Sequence, residues 1–161
     1  MLGEEPLRDL VPGPASGLLT PLTLELSRVL PAPREVVYAA FTRPEQLAEW
    51  WGPEGFVIPS LDFPARTGEL YRIEMQPPEG GPFFLAGEFR EVDAPARLVF
   101  TFRWEDPDPD DVENIATLWF VDLGDSTEVG LVQAPFRTEA RLALHREGWG
   151  DSFEKLERLI R

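Results

Sequence analysis

Residues 138–161 read TEARLALHREGWGDSFEKLERLIR. Leu142, His145, Trp149, Phe153, Leu156 and Ile160 recur there at steps of three and four, which places them on one stripe of a helix. Between them stand Arg141, Arg146, Asp151, Glu154, Glu157 and Arg158, expected to face water. Thr138 suits the N-cap, although the acid falls at Glu139 instead of residue 141, so the capping box is incomplete. A helix of this length must bury its apolar stripe against another layer. What precedes it decides which layer that is.

The preceding chain is mostly strand. LTLELSRVL (22–30) alternates Leu22, Leu24 and Leu26 with polar neighbours and ends at Pro31. Then come two short helices. The first is APREVVYAAFT (32–42), with Pro33 in its opening turn and Val36, Val37, Ala40 and Phe41 at helical spacing. The second, PEQLAEWW (44–51), is opened by Pro44 and stopped by Gly52-Pro53. FVIPSLDF, GELYRIEMQ, FFLAGEFREV, RLVFTFRW, IATLWFVDL and STEVGLVQA follow as strands. The last two are joined by the turn dipeptide Gly124-Asp125. RLVFTFRW alternates most cleanly, with Leu98, Phe100, Phe102 and Trp104 on one face. The expected architecture is α+β: a curved antiparallel sheet of about seven strands, with two short helices after the first strand and a long C-terminal helix packed across it. Residues 1–20, rich in Pro and Gly, read as a tail or irregular arm, and residues 21–161 as a single domain.

Composition narrows the function. At 161 residues the chain can bury a substantial core. Its net charge of −14 repels phosphate backbones and anionic membrane surfaces, which argues against nucleic acid as a partner. No apolar run approaches the roughly 20 residues of a membrane span, so membrane insertion is not expected. The opening MLGEEPLRDLVPGP lacks the basic and apolar regions of a signal peptide, and the expected location is cytoplasmic. With no cysteine and one histidine, disulfides, thiolate chemistry and histidine-cysteine metal sites are excluded. No phosphate or dinucleotide loop appears, so no cofactor is expected. EDPDPDDVEN (105–114) imitates the opening of a calcium loop, but Asp111 stands where glycine is needed and Thr117 where glutamate is. It reads as a solvated hairpin loop, and no metal site is assigned.

At this point the sequence resembles a family. PREVVYAAFTRPEQLAEWWGP, GELYRIEM, GEFREVDAPARLVFTFRW and HREGWGDSFEKLERLI carry the likeness, from Pro33 to Ile160. The chain looks like the START-related helix-grip superfamily, often called SRPBCC. Within it, the branch named after the C-terminal domain of the activator of heat-shock protein 90 ATPase fits best. The resemblance implies a helix gripped by the sheet with a cavity between them. It does not imply one function. The separate N-terminal domain of the eukaryotic co-chaperone is lacking, which weakens an activator reading.

The residues expected to line such a cavity are Trp51, Phe56, Phe102, Trp104, Trp119, His145, Trp149 and Phe153. For each ring the competing role is core filling. Trp50 and Trp51 point about 100° apart on a helix, so one is expected to anchor the helix pair and the other, Trp51, to face the cavity. His145 sits on the apolar stripe, where a hydrogen-bonded core role outweighs catalysis. Arg72, Glu74, Glu88 and Arg90 stand in strands whose inward face alternation leaves open. Gly148 and Gly150 each cost about 1 kcal/mol inside a helix, which calls for close approach of a strand or ligand, or for a bend. Three readings follow: a non-catalytic protein binding a small hydrophobic or amphipathic ligand, a protein-interaction module resembling a chaperone ATPase activator, or a cyclase, dehydratase or hydrolase of the same superfamily.

Overall fold

The computed structural model describes residues 21–160. The expected arm at 1–20 lies outside the described residues. The elements run β1 (Leu22–Leu30), α1 (Arg34–Thr42), α2 (Pro44–Trp50), β2 (Val57–Asp62), β3 (Leu70–Gln76), β4 (Phe83–Asp93), β5 (Arg97–Trp104), β6 (Asn114–Asp122), β7 (Thr127–Phe136) and α3 (Glu139–Ile160). This is the expected α+β order.

The seven strands form one sheet in the order β1-β7-β6-β5-β4-β3-β2, with every pair antiparallel. From β2 to β7 each strand pairs with the next in sequence. Only β1 is displaced, to the far edge beside β7. The helix pair α1–α2 therefore carries the chain from one edge of the sheet to the other. Pro44 opens α2, and Gly52, with a φ of +98°, turns the chain out of it. A side chain at that angle would be strained, which is why the break falls there.

One face of the sheet is apolar because the strands alternate. Tyr71, Ile73 and Met75 of β3, Leu98, Phe100 and Phe102 of β5, and Ala116, Leu118 and Phe120 of β6 are all buried. Arg72, Glu74, Glu88 and Arg90 take the alternate positions and so the outer face. Arg72 reaches Glu105 there at 2.8 Å, and Arg90 reaches Glu88 at 3.3 Å. None of the four enters the space under the helix.

α3 lies over the apolar face with Trp149, Ser152, Phe153 and Leu156 buried beneath it. Phe153 is fully buried, with its ring 6.1 Å from Phe41 and 5.8 Å from Trp149. The polar gaps of the helix do not all face water as the sequence led us to expect. Arg141 keeps only 19% of its side chain exposed, and Glu157 pairs with Arg28 of β1 at 2.9 Å. Both are held because acidic or basic partners from the sheet side come within reach.

Candidate functional site

α3 and the sheet do not meet along their whole length. Along the N-terminal half of the helix they leave a cleft of about 800 Å³ between them. Its walls come from the end of α2 and the turn after it, from β3–β5, and from one face of α3.

The two tryptophans of WWGP have different places. Trp50 is fully buried, packs on Phe41 with centroids 4.6 Å apart, and donates its indole N–H to the Ala40 carbonyl at 3.0 Å. It ties α2 to α1. Trp51, the C-cap residue, turns the other way and lines the cleft, edge-on to Trp149 at 5.1 Å. The turn that follows is stapled to α3 by Ser152, whose hydroxyl accepts the Gly52 N–H at 2.9 Å. As donor, Ser152 Oγ has the Gly52 and Gly148 carbonyl oxygens at 3.1 and 2.9 Å. No local motif in the sequence marks Ser152. Its partner across the fold, Gly52, lies a hundred residues away in the chain, beyond any local signal.

Phe56, Phe102, Trp104, His145 and Trp149 line the cleft with Trp51. Phe102 and Trp104 stand two apart on β5, on the same face, with rings 5.6 Å apart. Two of the eight candidate residues lie elsewhere. Trp119 points from the outer face of β6 and lies across Gly130, its partner on β7. A Cβ at Gly130 would fall 2.3 Å from that indole, so the glycine exists to receive the ring. Strand alternation decides this: Ala116, Leu118 and Phe120 are the inward set, and Trp119 falls between them. Phe153 fills core beyond the cleft. Met75 and Phe83, which the sequence reading did not single out, complete the apolar wall, with Phe83 stacked on Phe56 at 6.3 Å.

The polar atoms of the aromatic walls, as distinct from the carboxylates of the rim, are nearly all committed. Trp149 donates its indole N–H to Gln133 Oε1 at 2.8 Å, and Gln133 donates in turn to Asn114 Oδ1 at 2.9 Å. Gln133 and Asn114 are buried, and this chain satisfies them. Trp104 Nε1, which can only donate, reaches His145 Nε2 at 3.1 Å. His145 Nδ1 sits 2.8 Å from the Arg141 carbonyl, which can only accept. The proton is therefore on Nδ1, and the imidazole is neutral. Burial among the rings holds its pKa below the usual histidine value, against the pull of the Arg141 carbonyl.

Trp51 is the exception. Among the described residues its indole N–H has no hydrogen-bond partner. The side-chain polar atoms sealed off without a partner are Arg34 Nε and Tyr38 Oη, and Trp51 Nε1 is not with them. A residue only 5% exposed thus keeps an accessible donor at the cleft wall.

The rim is acidic. The loop 105–114 does not hang free in solvent as expected. Arg141 of α3 gathers Asp108, Asp110 and, at 3.7 Å, Asp111. Arg141 holds the Asp110 carboxyl below the usual aspartate value, as Arg72 does for Glu105. Asp108, Asp111, Glu105 and Asp106 enter the cleft rim from this loop, Glu54 from the turn after α2, and Glu147 and Asp151 from α3. Among the described residues no group of three or more histidines or acids could hold a metal ion. Gly148 lies on the wall, where a Cβ would meet Pro53 at an ordinary 3.6 Å, and nothing comes within 4 Å of one at Gly150. No strand crowds either glycine.

Residues 31–161 match the family model described as Activator of Hsp90 ATPase homolog 1-like protein. The chain belongs to this family. Among solved structures of similar fold, a crystal structure of a Chromobacterium violaceum protein is 32% identical with a TM-score of 0.78, covering 85% of this chain and 95% of that one. The AHSA1 protein of Silicibacter pomeroyi is 25% identical with a TM-score of 0.77, over 86% of this chain and 96% of that one. A Nitrosomonas europaea protein is 29% identical with a TM-score of 0.70, over 86% and 94%. A comparison with curated proteins found no match. In this Activator of Hsp90 ATPase homolog 1-like chain, no helix among the described residues is long and apolar enough to cross a membrane.

Proposed function

We propose that the cleft binds a small hydrophobic or amphipathic molecule and does not transform it. The observation that carries this reading is an aromatic cleft of about 800 Å³ in which one buried tryptophan keeps an accessible N–H. Ligand sites are commonly 300–1,000 Å³, largely apolar, with a few placed polar groups. A ligand burying about 300 Å² of apolar surface would gain roughly 7 kcal/mol before the cost of association, so apolar burial drives the binding and the placed polar groups add to it. Both nitrogens of His145 are already bonded, so neither is placed to take a proton from a ligand. That supports binding over turnover. In this reading residues 21–161 act as one domain, working in the cytoplasm.

The test is titration with an uncharged naphthalene fluorophore. Saturable binding, with a rise in Tm, is the expected result. Gly148→Leu sets a branched side chain against Pro53 on the cleft wall and should weaken binding at least about tenfold. Its fold should survive, because leucine replaces glycine in a helix at a gain of about 1 kcal/mol. No saturable binding to the wild type, or equal binding to the variant, contradicts the reading.

The family's name supports a second reading, an activator-like domain that docks on a chaperone. Stimulation of a chaperone ATPase by the protein, undiminished in Gly148→Leu, would favour it over the cleft.

A further inference from the structure

Charge is distributed unevenly around the cleft. Seven carboxylates line it against a single guanidinium, Arg141. That guanidinium is committed to the aspartates of the 105–114 loop. Glu105 is held by Arg72 and Glu54, more loosely, by Arg158 at 3.5 Å. Lys155 lends its field to Glu54 and Asp151, but its ammonium is turned to the Pro53 carbonyl at 3.3 Å. Asp106, Glu147 and Asp151 have no ion-pair partner among the described residues. No cationic group of the cleft is therefore free for an incoming anion, while the Asp106 and Glu147 carboxylates are free for a cation; that of Asp151 already accepts the Glu54 N–H at 3.1 Å. The walls add to this. The faces of Trp51, Trp104 and Trp149 are negative in potential and attract an ammonium within about 6 Å. The net charge of −14 extends the same preference to long range.

We propose that the cleft selects an amphipathic organic cation: a protonated amine or quaternary ammonium at the acidic rim, with an apolar body between the aromatic walls. An ether, carbonyl or hydroxyl oxygen on that body would accept the Trp51 N–H. Anionic amphiphiles such as fatty acids are selected against. This inference rests on the cleft being a ligand site. It adds the class of ligand.

The experiment uses three naphthalene probes of one skeleton, bearing a trimethylammonium, a sulfonate or an uncharged group of similar size, titrated into the full chain. The cationic probe is expected to bind at least about tenfold tighter than the sulfonate at low ionic strength. The gap should narrow as salt rises past about 0.15 M, where exposed charges are screened beyond roughly 8 Å. In the double variant Asp106→Asn, Glu147→Gln the gap should shrink by about threefold or more, with the uncharged probe unaffected. Both side chains are on exposed residues and make no hydrogen bond among the described residues, so the fold is not at stake. If the sulfonate binds as well as the ammonium, or if the gap is undiminished in the double variant, the inference is overturned while the ligand site stands. If none of the three binds, the ligand site itself is refuted and the inference with it.

Discussion

His145 shows how one residue can be read correctly in place and still leave its role undecided until partners are seen. The stripe at steps of three and four put it on the buried face of α3, next to Trp149. Only the structure supplies Trp104 and the Arg141 carbonyl, which occupy both nitrogens. Protonation would turn Nε2 from acceptor to donor and set it against the Trp104 N–H. The native pKa lies below the ordinary histidine value of 6.5, because burial disfavours the charged ring; the Asp111 charge pulls it up and the Arg141 charge pushes it down. In the window below 6.5 the unfolded chain binds a proton more readily than the native one, so stability falls as pH falls. The contribution is complete above 6.5 and is lost through the native pKa. His145→Gln should cost about 1 kcal/mol at neutral pH through the altered Trp104 contact. That deficit should shrink on acidification, as the wild type loses what the variant never had. Paired denaturant melts at about pH 7.5 and 5.5 check this; a deficit that stays constant contradicts the neutral, doubly bonded histidine.

At the scale of elements, the loop between β5 and β6 departs furthest from its sequence. Prolines and aspartates at alternate positions read as a solvated hairpin, and nothing local in 105–114 says that a cation waits on α3. Arg141 likewise read as an outward residue of the helix. Brought together, they latch the loop to α3 and build half of the cleft rim. The latch holds several carboxylates around one planar guanidinium, an arrangement worth more than an isolated surface pair. Arg141→Met should cost about 1–2 kcal/mol and speed amide exchange in residues 106–112 by about tenfold. Unchanged exchange would mean that the turn bonds between Asp108 and Asp111 suffice to hold the loop.

For the whole molecule, the architecture was legible because it follows from period. Alternation located the strands, helical spacing located three helices, and a long amphipathic helix needs a sheet to cover. The cavity was less legible. Six of its expected lining residues do line it, since Phe102 and Trp104 share a face and His145 and Trp149 share a stripe. Trp119 does not, because the inward phase of β6 depends on Ala116, a small residue that carries little weight in a sequence pattern. The acidic rim, the Ser152 staple and the accessible Trp51 N–H arise from contacts across the fold, which no local pattern encodes.

The central claim, a ligand site in the cleft, is tested most directly by the five tryptophan indole N–H signals in a ¹⁵N-labelled protein titrated with the uncharged naphthalene probe. The account predicts that the Trp51 signal moves most and that those of Trp104 and Trp149 follow. The signals of Trp50, sealed against Ala40, and Trp119, on the far face of the sheet, should stay in place. Saturable binding that moves Trp119 and leaves Trp51 unmoved would contradict it.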